Sequence, residues 1–269
     1  MGADTKLLRN RIKSVDSTLH LTKAMGLVAS SKIRRATGAM LRGREYSDSV
    51  TNIVRSLVSN QDCKNSPYMH NRGAGTTKLI VIAGDRGLAG GYNANVFRTV
   101  RDYNQDVEII PIGKRSCDRF GSEHRSAEAF THEDSIELAN KLCAEFASGS
   151  YDRLGILWTR YISVMTQIPE VTWLLPLQAN EDNVDSSGMI FEPDELTILN
   201  AAVPEYIAGK LTAAVRESFA CEVAARRMAM DSAGKNAQQM IDSLTLQYNR
   251  ARQGAITQEI TEIVAGSGQ

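Results

Sequence analysis

The chain has 269 residues, 42% of them apolar, with 31 Lys+Arg against 31 Asp+Glu and no net formal charge. That length can bury a sizeable core in one large domain or two ordinary ones, and a charged fraction of 23% excludes a disordered polyelectrolyte. No run of about 18 apolar residues offers a membrane-spanning helix, and the widely separated Cys63, Cys117, Cys143 and Cys221 form no CxxC pair for a zinc site or disulfide framework.

Met1-Gly2-Ala3-Asp4-Thr5-Lys6 lacks the apolar core of a signal peptide, so an intracellular protein is expected. Residues 1–60 carry 11 basic and four acidic side chains, net +7, whereas residues 76–205 carry 11 basic and 20 acidic ones, net −9. A basic arm of this kind binds nucleic acid or an acidic protein surface, or is simply a solvated helical face. Within it Leu8, Ile12, Val15 and Leu19 are spaced 4, 3, 4, and after a slip the stripe continues through Leu21, Met25, Val28, Ile33, Ala36 and Met40. This periodicity predicts a long amphipathic helix over residues 1–60 that packs on another helix. Asn65-Ser66-Pro67 and Gly73-Ala74-Gly75 then mark Asn60–Thr76 as a linker.

The middle of the chain, residues 76–178, alternates strand and helix signals. Lys78–Ala83, Val107–Ile112 and Leu154–Trp158 are short apolar runs suited to buried parallel strands, and Val171–Leu175 alternates as an edge strand does. Helical stretches fall between them at Ala94–Tyr103, Ser116–Phe120 and Asp134–Ala147, which implies a mostly parallel sheet with helices on its faces, a Rossmann-like α/β domain. The first strand ends in Gly84-Asp85-Arg86-Gly87-Leu88-Ala89-Gly90-Gly91, which matches neither GxGxxG nor a P-loop. Asp85 would also put negative charge where a pyrophosphate belongs. A tight strand-to-helix turn is expected, with Asp85 and Arg86 pairing locally or facing a protein partner. His124 and His132 lie near Glu123, Glu133 and Asp134, but their spacing suits polar loops better than a metal site. No GxSxG or HExxH motif is present.

A polar loop is expected at Ala179–Gly188, followed by a second long helix. All six prolines lie between Pro67 and Pro204, so Glu205–Ala265 is free to be helical, roughly 90 Å at about 1.5 Å per residue. Ala237, Ile241, Leu244, Tyr248, Ala251 and Ala255 form its heptad stripe. A helix of this length must pack on something equally long, and the N-terminal helix is the available partner. The alternative is an ordinary bundle turning at Gly209, Gly234 and Gly254. Alanines at 24, 29, 36, 224, 225, 229, 233, 237 and 251 make a small-sided seam, so the pair buries little area and should lie inside a larger partner.

Short phrases at both ends of the chain and one in its middle carry a resemblance. Arg11-Ile12-Lys13-Ser14-Val15, Leu21-Thr22-Lys23-Ala24-Met25 and Val28-Ala29-Ser30-Ser31-Lys32 resemble the start of the gamma subunits of F-type ATP synthases. Gly84–Asn93 is similar to that family's strand-to-helix segment, and Tyr248-Asn249-Arg250-Ala251-Arg252-Gln253 with Ile256–Gly266 to its C-terminal signature. The phrases keep the family's order across nearly the whole chain, and no cysteine-bearing insert of the chloroplast type interrupts them. The resemblance implies a rotor shaft, in which the terminal helices, 1–60 and 205–269, form an antiparallel coiled coil in the bore of the alpha and beta subunits. The α/β domain would stand at the foot beside the epsilon subunit and the membrane c-ring. It further implies a non-catalytic subunit of a proton-transporting complex on the cytoplasmic face of a bacterial membrane, or the matrix side in an organelle. No cofactor, small-molecule substrate or nucleic acid would be bound. Residues matching the family's contact positions are Met25, Arg252, Gln253 and Thr257 on the shaft, and Glu192 toward the c-ring. From the residues alone, a nucleotide-dependent α/β enzyme using the glycine segment and a coiled-coil nucleic-acid binder using the basic arm stay open.

Overall fold

The computed structural model describes residues 2–73, 75–103, 107–123, 125–178 and 191–266. The expected loop Ala179–Gly188, His124 and the last three residues lie outside the described residues. The chain forms two compact units, Met1–Ser30 with Arg226–Gln269, and Ser31–Ala225. Two long helices, α1 (Gly2–Val58) and α5 (Glu195–Gly266), contribute to both. Among the described residues no helix is long and apolar enough to cross a membrane.

In Ser31–Ala225 the remaining elements are β1 (Thr77–Ile82), α2 (Tyr92–Asp102), β2 (Val107–Ile112), α3 (Lys114–Phe120), α4 (His132–Ala147), β3 (Arg153–Tyr161) and β4 (Gln167–Leu175). The strands make one sheet in the order β2-β1-β3-β4. β1 runs parallel to both β2 and β3, and β4 pairs antiparallel to β3 at the edge. The prolines within strands, Pro111 and Pro169, sit on the two edge strands, where a missing ladder donor is tolerated. β1 reads as a continuous apolar run because both its faces are covered. Leu79 and Val81 pack with Val96, Phe97 and Leu157 on one side. Ile80 and Ile82 pack with Leu142 and Phe146 of α4, Leu57 of α1 and Leu211 of α5 on the other.

The segment expected as a linker is structured. Asp62–Asn65 and Pro67–Met69 form two 3₁₀ turns whose Cys63 and Tyr68 enter the core. Tyr68 stacks on Phe146 at 6.2 Å, and the Arg72 guanidinium donates to the Phe146 carbonyl at 2.7 Å. Turn-forming residues gave this stretch the composition of a linker, but its aromatic and sulfur side chains are buried.

α5 begins at Glu195 rather than Glu205, with Pro204 inside it. The proline removes one ladder bond, yet Leu199, Val203, Ile207, Ala208 and Leu211 are buried along this stretch, and that packing holds the helix through the break. Asp194 caps the start, accepting from the Thr197 N–H and hydroxyl, each at 2.8 Å.

In the other unit α1 and α5 run antiparallel. A side chain at Gly26 would meet Met230, and one at Gly234 would meet Thr22 and Leu19. On α5 the buried and half-buried positions include Ala237, Ile241, Leu244, Tyr248, Ala251 and Ala255, the stripe expected from the sequence. On α1 the stripe differs. It passes through Leu8, Ile12, Val15, Leu19, Thr22, Gly26 and Ala29 without a slip, and Leu21 and Val28 face outward at 59% and 58% exposure. Ala24 is likewise exposed. Small and polar residues hold the seam where the helices approach, so hydrophobicity alone misplaces it by one residue.

Leu19→Ala should therefore destabilise this helix pair by about 2 kcal/mol or more, the usual range for a buried leucine. Leu21→Ala should change it by less than about 0.5 kcal/mol, as an exposed site does. Hydrogen exchange of the amides in 2–30 and 226–266 measures both, and equal effects would restore the slipped register.

Candidate partner-contact surfaces

The Gly84–Gly91 segment leaves β1 at the point where the chain order reverses, since β2 lies on one side of β1 and β3 on the other. In open α/β sheets this crevice at the carboxyl ends of the strands is where ligands bind. Here the chain's own helix enters it. The Glu222 carboxylate of α5 accepts from the backbone N–H groups of Asp85 and Arg86 at 3.3 and 3.2 Å. A Cβ at Gly84 would stand 2.7 Å from the Glu222 carboxyl carbon, so any other residue there would push this internal anion off its place. The segment is the strand-to-helix turn that was expected, and the anion its N–H groups bind is a carboxylate of the same chain.

Asp85 pairs locally. Its carboxylate accepts from the Lys114, Ala127 and Glu128 N–H groups at 3.0, 2.9 and 2.9 Å and from the Ser126 hydroxyl at 2.6 Å. Burial alone would raise its pKa, but the Ser126 hydroxyl and these backbone donors together hold it below the ordinary carboxylate value. The basic arm is likewise partly engaged within the chain, Lys32 reaching Glu128 at 2.6 Å and Arg44 pairing with Glu217. His132 bonds Thr212 at 3.0 Å and meets Tyr46 edge-on, while Asp134 forms a capping box with Thr131. The cysteines are core residues: burial pushes the Cys143 thiol up to about 12, and raises those of Cys63 and Cys221 as well.

The residues singled out from the sequence fall into separate places. Met25 is half-buried beside the Gly26–Met230 contact. Arg252, Gln253 and Thr257 are exposed near the end of α5, and the Thr257 hydroxyl donates to the Gln253 carbonyl at 3.0 Å. Arg252 lines a groove with Thr5, Tyr248, Ile256 and Glu259. At about 1.5 Å per residue, Arg252 lies roughly 30 Å along α5 from Met230, the level of Met25, so the structure does not gather these positions into one site. Glu192 is exposed in the other unit, between Phe191, which packs on the core, and the Asp194 cap. Sequence reasoning passed over Glu217 and Glu222, both buried. The available signal was two acidic residues within Ala213–Ala225, a stretch otherwise dominated by small and apolar side chains.

In the Met1–Ser30 and Arg226–Gln269 unit the large apolar side chains Leu7, Leu21, Leu27, Val28, Ile256, Ile260, Ile263 and Val264 are exposed alongside the charged ones. Exposed apolar side chains in this number are candidates for a protein contact.

Asp85→Asn should destabilise the α/β unit by about 2 kcal/mol or more, because an amide replaces a charge that receives four donors. With its folded pKa depressed, the wild-type contribution is fully present above the unfolded value near 3.9 and is lost as pH falls through the lower folded value. Denaturant unfolding from pH 6 to pH 2 should show the two chains converging at the acid end. A constant gap would refute this role.

Comparisons with known proteins agree across the whole chain. A protein-family model described as ATP synthase matches residues 4–268. An ATP synthase gamma chain of Ruminococcus albus is 37% identical over 98% of both chains. One of Moorella thermoacetica is 36% identical over 97% of this chain and 96% of its own. Among solved structures, a chain of the Euglena gracilis mitochondrial ATP synthase (OSCP/F1/c-ring) superposes with a TM-score of 0.66 at 18% identity, covering 98% of this chain and 94% of that one. A chain of the Tetrahymena thermophila central stalk/c-ring gives 0.60 at 20% identity, over 79% and 99%.

Proposed function

The chain belongs to the ATP synthase gamma chain family, and from that premise we propose that it is the rotor shaft coupling proton flow through the c-ring to ATP synthesis or hydrolysis in the alpha/beta hexamer. In this reading residues 1–60 and 205–269 supply the shaft and 76–178 the foot. The epsilon subunit and c-ring are the partners of the foot, and Glu192 faces the ring. The chain carries no chemistry of its own. It makes the conformations of the catalytic subunits unequal by presenting a different face to each as it turns. Its place is peripheral, on the cytoplasmic side of a bacterial membrane or the matrix side in an organelle.

The observation that carries this reading is the outward apolar surface of a two-helix unit. Leu21, Leu27, Val28, Ile260 and Ile263 turn away from their own seam, which a solitary hairpin has no reason to tolerate and a shaft inside a protein sleeve requires. The nucleotide-enzyme alternative loses its site, because Glu222 and the turn it fills occupy the crevice a cofactor would use. Met25 sits at the edge of the seam, where a neighbouring subunit can touch it.

Arg252, Gln253 and Thr257 supply polar contacts on the same surface. The guanidinium offers a planar fork of donors suited to a carboxylate, and the amide offers both donor and acceptor. An exposed pair contributes roughly 0–1 kcal/mol, whereas enclosure in a bore strengthens it. Replacing Arg252 and Gln253 by Ala should leave the circular dichroism of the free chain unchanged and lower the turnover of the assembled ATPase several-fold. Equal turnover in fully assembled complexes would remove the contact.

A further inference from the structure

Torque reaching the foot has to enter the long helix α5 somewhere, and a bare helix packed through apolar side chains is free to roll. Apolar burial is non-directional, so resistance to rolling needs directional bonds distributed around the helix axis. Four residues within the Glu217–Glu222 stretch of α5 make such bonds. Glu217 is 2% exposed and accepts from the Tyr161 N–H at the end of β3 at 2.7 Å. It also accepts from two nitrogens of Arg44, and Arg44 donates to the Tyr161 carbonyl at 3.1 Å. The Ser218 hydroxyl accepts from the Thr159 N–H at 3.1 Å, and its carbonyl accepts from the buried Tyr92 hydroxyl at 3.0 Å. The Cys221 thiol donates to the Thr159 carbonyl at 3.3 Å. Glu222, 1% exposed, accepts from the N–H groups of the turn after β1.

At about 100° per residue these positions fall in the order 217, 221, 218, 222 across an arc of roughly 140°. Their partners stand on β3, on α2 and on the turn after β1. Rolling α5 in either direction pulls at least one buried carboxylate off its donors, and a buried charge without partners is strongly unfavourable. Pure packing would need none of this.

We propose that the Glu217–Glu222 segment of α5, with Arg44, is the clamp that fixes the angular position of the shaft helix on the α/β foot and so carries torque between them. The clamp rests on the rotor reading above. It assigns Glu217, Glu222 and Arg44 a positioning role distinct from any contact with the surrounding subunits.

The test uses ATP synthase assembled with this chain in proteoliposomes, reading ATP hydrolysis and ATP-driven proton uptake together. Glu217→Gln and Glu222→Gln should each lower proton uptake per ATP hydrolysed several-fold at unchanged subunit content. A double variant, Arg44→Met with Glu217→Gln, removes both charges at once and leaves neither unpaired, which recovers much of the stability lost in a single variant. Its melting temperature should approach that of the wild type while its coupling stays low, a separation that a merely structural pair would not produce. The double variant also serves if either single variant fails to fold. If the wild-type assembly itself pumps no protons, the rotor reading falls and the clamp with it. If the wild type pumps and the variants keep its ratio, the clamp alone is overturned.

Discussion

A carboxylate taken out of water must find donors that hold still, and in this molecule those donors are main-chain N–H groups at the ends of strands. Glu222 on the turn after β1 and Glu217 on the end of β3 are the two instances that organise the α/β unit. Backbone donors cannot be moved without moving the strand that carries them, so each carboxylate registers α5 against the sheet with the accuracy of a hydrogen bond. The glycine at 84 and the ion pair with Arg44 both accommodate these two charges. The crevice that many α/β sheets keep open for a ligand is thereby closed by the fold itself.

The sheet was largely legible in the sequence. The three apolar runs became β1, β2 and β3. Both β1 and β3 are apolar because both their faces are covered, whereas β2, expected to be buried, is an edge strand that is mostly half-buried with Glu108 exposed. β4 was read as an edge strand and is one, although it begins at Gln167, upstream of Pro169, since an edge tolerates a residue without an N–H. The start of α5 was less legible. Pro204 is a good local stop signal, and it is overridden by packing contributed from elements distant in sequence, which no local window contains.

The seam of α1 was misread for a physical reason that bears on function. Leu21 and Val28 are the more hydrophobic residues, so a search for a core stripe selects them over Thr22 and Gly26, whereas Ala29 is already among the alanines read as a small-sided seam. Close approach of two helices selects for small side chains instead, and the large ones are left for another surface to cover. Hydrophobicity reports that a residue is to be buried without saying by what. The contact positions Met25, Arg252, Gln253, Thr257 and Glu192 came from resemblance and not from pattern, because exposed side chains leave no periodic trace. Glu217 and Glu222 were missed for the opposite reason: acidic residues on a helix are ordinarily taken as its wet face.

The outward leucines and isoleucines of the helix pair also govern how the protein can exist before it has partners. A polypeptide that displays such a surface adheres to itself and to chaperones, and is exposed to proteolysis whenever its ends open.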